Sequence, residues 1–190
     1  MERRVFGATG LNVSPIGMGA IQITRLEWKQ SLRVVREVLD LGVNWFDTAR
    51  DYLDSELRLG EALRGVRQRV VLISKSAQKT PAELARQIDE SLKRLGSDYL
   101  DVFLFHGGAA LEEESFFAPG GLLETADCAV AAGKIRFLGF ESFGGRCLAG
   151  GHGAGELHQP GVHRRGVHGA GQDGGGGRAG HEALRRREDG

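Results

Sequence analysis

Cysteine is scarce in this chain: Cys128 and Cys147 are the two among 190 residues. Two thiols give neither a disulfide framework nor metal-ligand spacing, so a reducing, cytoplasmic setting is expected and no metal site. An excess of one charge is missing too, since 25 Lys and Arg balance 25 Asp and Glu. No strong field therefore draws the chain to nucleic acid or to an anionic membrane. The opening MERRVF is charged, but no apolar run of signal-peptide length follows, and nothing approaches a transmembrane span. The absences are also uneven. From Glu141 onward there is no Lys, Ile or Met, yet this segment holds 16 of the 30 glycines, five of the six histidines and seven arginines. Residues 1–140 have the composition of a globular domain with a core, and residues 141–190 do not.

What is present in the first part is an alternation of strands and helices. Arg3–Phe6 and Leu11–Val13 flank Gly7 and Thr9-Gly10 as a β-hairpin, and Ile16–Met18 reads as a short buried strand ending in Gly19-Ala20. LEWKQSLRVVREVLDLG puts Leu32, Val35, Val38 and Leu39 on one helical face, with Gly42 as its stop. Asn44–Ala49 is the next strand, followed by a helix to about Arg64 with Asp54 or Ser55 as cap and Glu56 in its first turn. VVLIS (70–74) is an apolar strand ending at Lys75, and Thr80-Pro81 opens a helix closed by Gly96, with Leu84, Ile88, Leu92 and Leu95 inward. YLDVFLF (99–105) ends at His106, a helix spans about Gly121–Ala132 with Cys128 expected in its core face, and IRFLGF (135–140) is a fifth strand of the series.

Alternation of this kind gives parallel βαβ units, and near-continuous apolar strands imply a sheet covered on both faces. A dinucleotide-binding doubly wound sheet would carry G-x-G-x-x-G after its first strand; GMGAIQ lacks that spacing. A (β/α)8 barrel fits better, because three successive strands end in a reactive residue, Asp47, Lys75 and His106, and such ends converge on one rim. Tyr52 lies in the short loop after Asp47. A phenol ordinarily titrates near about 10, an ammonium beside it favours the phenolate, and a carboxylate beside the ammonium holds that in place. Tyr52 with Lys75 and Asp47 could thus pass a proton to an oxygen, while the His106 imidazole orients that oxygen. Such a set suits carbonyl reduction. With no cluster spacing and no redox thiol pair, hydride has to come from a bound cofactor. Taken singly, each of the four reads more simply as a solvated strand end or a satisfied polar residue; together and in order they read as a site. Arg50, Asp51 and Asp54 are expected to be solvated loop or cap residues, and Trp28 and Trp45 packing residues.

These segments resemble the aldo-keto reductases, NAD(P)H-dependent oxidoreductases on a (β/α)8 barrel. FDTARDYLDSELRLGEAL is similar to the family signature of Asp, Tyr and S-E-x-x-L-G-x-A-L, VVLISK carries its Lys, DYLDVFLFH its His, and GKIRFLGF leads into its fifth strand. The loop after His106 resembles the bacterial branch. The resemblance covers roughly residues 1–142 and implies Tyr52 as general acid, Asp47 and Lys75 as its tuning pair and His106 as the group that positions a small-molecule carbonyl. It implies NADPH or NADH as cofactor, held in part by Gly19, Ala20, Asp47 and Ser142. The family's Ser-Asn pair after the fifth strand is met by Ser142 but replaced at the next place by Phe143.

Beyond that point the resemblance stops. Residues 143–190 have neither strand nor helix period and are expected to form a disordered Gly/Arg/His-rich tail. GVHRRGVHG matches no firm zinc pattern, and no aromatic residue after Phe143 supports RNA stacking. Gly, Arg, Ala and His without Lys or Ile is what GC-rich DNA yields out of frame, so a frameshift near residues 141–147 is expected. The fold expected is an incomplete (β/α)8 barrel of about five βα units over residues 1–142. Its open strand edges would make it aggregation-prone or dependent on a partner. The carbonyl substrate and the oligomeric state are not legible.

Overall fold

The computed structural model describes residues 1–106 and 116–141. A two-stranded antiparallel hairpin, β1 (Arg4–Val5) and β2 (Asn12–Val13), precedes a five-stranded sheet. Its strands are β3 (Met18–Gly19), β4 (Trp45–Asp47), β5 (Val71–Ser76), β6 (Leu100–Phe105) and β7 (Ile135–Phe140). All are parallel and paired in chain order, β3-β4-β5-β6-β7, with no reversal. The connections carry helices α1 (Trp28–Asp40), α2 (Ser55–Ala62), α3 (Pro81–Leu95) and α4 (Leu122–Ala131).

Helix ends follow local chemistry. Thr80 accepts from the Glu83 N–H and Pro81 occupies the first turn of α3, where its missing N–H costs nothing. Gly96 closes that helix at φ 59°, a conformation that penalises a Cβ. Asp54 stands at the N-cap of α2 without capping it; its carboxylate takes the Arg58 guanidinium instead, at 2.9 Å.

The two faces of the sheet are covered differently. Phe46, Leu72, Phe103 and Phe105 join one apolar cluster with Leu32 and Val35 of α1, Leu59 of α2, Leu84, Ile88 and Leu92 of α3, and Leu122 and Ala126 of α4. Val71, Ile73 and Val102 face the other way and pack on Leu11 and Val13 of the hairpin, with Trp45, Leu104 and Phe137 beside them. Every described helix therefore lies on one face, and the hairpin sits against the other. A doubly wound sheet has helices on both faces and a strand-order reversal; this is the wall of a TIM barrel, helices outside, with the hairpin against the inner face.

One expectation needs correcting. Cys128 is exposed, not core. The inward face of α4 runs through Leu122 and Ala126, four residues apart. At about 100° per residue, Cys128 points roughly 200° away from Ala126. Residues 143–190, expected to be disordered, lie outside the described residues, as does Ser142.

Candidate active site

Strand alternation assembles the site. Side chains on one face of a strand recur every second residue. The inward set is Trp45 in β4, Val71 and Ile73 in β5, Val102 and Leu104 in β6 and Phe137 in β7. Continuing each series in steps of two past the carboxyl end of its apolar layer gives Asp47, Lys75, His106 and, through Gly139 of β7, Glu141. The apolar layer below thus carries a polar layer above it, on the rim where barrels keep their chemistry.

Lys75 is the most deeply set of the four, its side chain 2% exposed, and its Nζ donates to Asp47 Oδ1 at 2.5 Å. Its ammonium also lies 5.1 Å from the centroid of the Tyr52 ring, within cation–π range. Tyr52 in turn meets His106 edge to face, ring centroids 5.8 Å apart. Glu141 Oε2 closes the cluster, 3.4 Å from His106 Nε2 and 3.9 Å from Lys75 Nζ. Asp47, Tyr52, Lys75 and His106 are therefore brought together around one space.

The loop that carries Tyr52 is tied down at several points. The Thr48 N–H donates to Ile73 O and the Arg50 N–H to Lys75 O, both at 2.9 Å, which extends the β4–β5 ladder past the strand. The Thr48 hydroxyl donates to Ser55 Oγ, which donates to Ala20 O. Leu53, next to Tyr52, has φ 47°, a strained value for leucine. Arg94 of α3 holds it there by donating to Leu53 O, while its Nε donates to Glu56 at 3.0 Å. Glu56 is fully buried and also accepts from Ser74. Glu56 is in the first turn of α2, as the sequence leads one to expect, and it is also the anchor that joins the Tyr52 loop to the next helix.

Other expectations fare unevenly. Arg50 is not simply solvated: its guanidinium donates twice to Glu90 Oε2 of α3, at 3.1 and 3.0 Å. Asp51 stays exposed, its Oδ2 4.0 Å from His106 Nδ1. Trp45 is a packing residue; it stacks on Phe6 and its indole N–H donates to Ser14 O at 3.0 Å. Trp28 lies against the Arg58 guanidinium and donates to Glu61. Glu141 was missed outright, and the period-2 count from Phe137 and Gly139 is the signal that could have found it.

The fit to a nicotinamide ring can be judged at the residues expected to hold it. Gly19 ends β3 opposite Asp47, and a Cβ built on it meets nothing within 4 Å, so a flat ring has room to approach. Ala20 is fully buried in the outer core, which leaves only its backbone for such a role. Glu141 Oε2 and His106 Nδ1 are buried polar atoms with no hydrogen bond among the described residues, the state expected of groups that face a ligand. The residues present fit the reactive end of the cofactor. Among the described residues no group of three or more His, Cys, Asp or Glu side chains is placed to hold a metal ion.

A family model described as the aldo/keto reductase family matches residues 15–146. Aldo-keto reductase YhdN of Bacillus subtilis (strain 168) is 31% identical over 165 residues, covering 75% of this chain and 47% of the relative. Methylglyoxal reductase YeaE of Escherichia coli (strain K12) is 36% identical over 120 residues, covering 58% and 38%. Among solved structures, an aldo-keto reductase from Klebsiella pneumoniae in complex with NADPH is similar at TM-score 0.65 and 32% identity, over 75% of this chain and 50% of that one. The holo form of AKR11C1 from Bacillus halodurans is similar at TM-score 0.66 and 29% identity, over 75% and 51%. The chain thus spans about half the length, or less, of the curated relatives it matches. No helix among the described residues is long and apolar enough to cross a membrane. With the family model running from the first barrel strand to just past the fifth, the chain belongs to the aldo/keto reductases, a family of oxidoreductases.

Proposed function

We propose that the protein reduces an aldehyde or ketone to the alcohol, with NADPH or NADH as cofactor and Tyr52 as general acid. The observation that carries this reading is the Lys75 ammonium, buried beside Asp47 and lying over the Tyr52 ring. A nicotinamide, when bound, supplies the hydride; Gly19 and Asp47 would border its ring, with the Ala20 backbone and Ser142 completing the contact. The carbonyl oxygen gains negative charge as its carbon is reduced. His106, edge-on to Tyr52, orients that oxygen, and the Tyr52 hydroxyl gives it a proton. The phenolate left behind faces the fixed positive charge of Lys75, which stabilises it without reorganisation. Asp47 keeps that ammonium in place. The apolar layer beneath, Ile73, Val102 and Leu104, withholds water from the reacting groups.

The test is aldehyde-dependent oxidation of NADPH, with NADPH fluorescence quenching to report binding. Tyr52→Phe is expected to lower kcat by about 10²–10⁴-fold, the usual worth of a general acid, and to leave quenching intact. Equal turnover in the two proteins would refute the role of Tyr52. A non-catalytic relative that keeps this half-barrel as an interaction module is the second reading, favoured by Phe143 standing at the place of the family's Asn. Absence of both quenching and turnover would decide for it.

A further inference from the structure

We infer that Glu141 is a positioning residue that fixes the tautomer of His106, keeping the proton on Nε2. This rests on the reading of His106 as the group that orients the carbonyl, and it follows from which ring nitrogen can keep a proton. His106 Nδ1 is buried and has no hydrogen-bond partner among the described residues. A proton placed there would be a buried, unpaired donor, stripped of water with nothing in its place, the costlier of the two ways to leave Nδ1. The nearest acceptor to Nδ1, Asp51 Oδ2, is 4.0 Å away on a side chain 45% exposed, too far for a hydrogen bond and open to hydration. Nε2 has the opposite surroundings. Glu141 Oε2 stands 3.4 Å from it, itself buried and without a hydrogen bond. That is a few tenths of an ångström beyond the ordinary N–H···O range of about 2.7–3.2 Å, a gap a small change in the glutamate torsions closes. Proton on Nε2 gives Glu141 Oε2 a donor and leaves only a bare lone pair at Nδ1; proton on Nδ1 leaves both buried atoms unpaired.

The remaining charges around the ring fit this assignment. Lys75 Nζ lies 3.9 Å from the same Glu141 oxygen and draws it inward, and Asp47 occupies the other side of Lys75. Tyr52 meets the ring edge to face. For the reaction the consequence is direct. The Nε2 proton is the one available to a carbonyl oxygen, and until such a ligand arrives Glu141 holds that proton in the site.

The experiment is long-range 1H–15N correlation of the imidazoles in the full chain labelled with 15N-histidine, at pH 8, with His106 assigned by its loss in His106→Gln. The expected pattern is a protonated Nε2 and a pyridine-type Nδ1. In Glu141→Ala the two shifts are expected to move toward the exchange average of both tautomers, whereas Asp51→Asn leaves the pattern unchanged. A protonated Nδ1 in the parent chain, in a neutral or a doubly protonated ring, overturns the inference, as does a Glu141→Ala spectrum identical to the parent's. The parent spectrum decides even where Glu141→Ala does not fold. Turnover plays no part in this readout: an inactive chain still reports its tautomer, and a protonated Nδ1 leaves the role of Tyr52 to its own assay.

Discussion

Removing either partner of the Asp47–Lys75 pair breaks the same contact, but the two deletions should cost very different amounts. Lys75 is 2% exposed and Asp47 26%. Asp47→Ala leaves an ammonium buried with Glu141 as the next carboxylate, 3.9 Å away. Stranding a fully buried charge costs about 3–5 kcal/mol. The partial exposure of the site and the help of Glu141 lower this to about 1–3 kcal/mol, because water and a second anion replace part of what is lost. Lys75→Met is milder. The thioether fills the volume of the lysine stem, and Asp47, a quarter exposed, can be hydrated once its partner is gone. Its cost should be within about 1 kcal/mol of zero, since exchanging a buried charge for a packed apolar chain is often neutral.

The double variant Asp47→Ala/Lys75→Met should then recover most of what Asp47→Ala alone loses, the cycle giving a coupling of about 1–2 kcal/mol. Urea unfolding followed by circular dichroism measures all four proteins, with the extrapolated free energies compared at fixed slope. The reasoning fails if the order is reversed, with Lys75→Met costing more than about 2 kcal/mol and Asp47→Ala almost nothing. That outcome would make the lysine a structural strut rather than a charge held at the rim against its own solvation.

Two further expectations concern the packing that positions the site. A Cβ on Gly60 would meet Arg94 O and Leu95 C and O at 2.7 Å, backbone atoms that cannot step aside, so Gly60→Ala should destabilise by about 1–3 kcal/mol, read as a lower urea midpoint. An unchanged midpoint would mean that α2 and α3 are not so closely apposed. The hydrogen bond from Arg50, with the charge of Arg86 added, holds the Glu90 carboxyl below the usual glutamate range. Its depressed value means the contribution is whole above the unfolded glutamate pKa of about 4.3 and is lost as pH falls through the folded one. The difference in urea midpoint between the parent and Glu90→Gln should therefore shrink on acidification from neutral pH, and a difference constant down to about pH 3 would contradict it.

How far the chain could be read in advance depended on whether a feature is local. Helix α3 was legible almost to the residue, because Thr80-Pro81 and Gly96 act on their own turns. Strand β7 came out with its bounds intact, Ile135–Phe140. The choice of barrel over doubly wound sheet rested on strand ends and a missing glycine motif, and the one-sided helices bear it out. Cys128 was misplaced because LLETADCAVA carries small apolar residues around much of its circumference, so periodicity does not choose a face; contact with Leu122 and Ala126 inward does. Glu56 and Asp101 escaped notice for another reason. A lone acid in a strand or helix looks solvated until residues 29 to 38 positions away bring it donors.

Asp101 and Glu141 show how the same functional group is used for opposite ends. Asp101, the second residue of β6, is buried at the amino ends of the strands. Its Oδ2 accepts from the Leu72 N–H and from Arg67, both at 2.9 Å, and its Oδ1 from Arg136 at 2.7 Å. Both its oxygens have donors, and three elements meet there. Glu141, at the carboxyl end of β7, has a buried oxygen with no hydrogen bond among the described residues, His106 Nε2 standing 3.4 Å away. Asp101→Asn should cost about 2–4 kcal/mol, less than the full 3–5 of a broken buried pair because Arg136 is 48% exposed and can be rehydrated. Glu141→Gln should cost less, within about 1 kcal/mol of zero, since Lys75 keeps Asp47 as its nearer partner and Glu141 is its second, at 3.9 Å. One urea series measures both. Equal losses would make Glu141 a strut like Asp101 and remove the reason to place it among the reacting groups. Unequal losses would leave Glu141 a carboxylate the fold does not need for stability, at the rim where Tyr52, Lys75 and His106 converge and 3.4 Å from the His106 ring it is inferred to position.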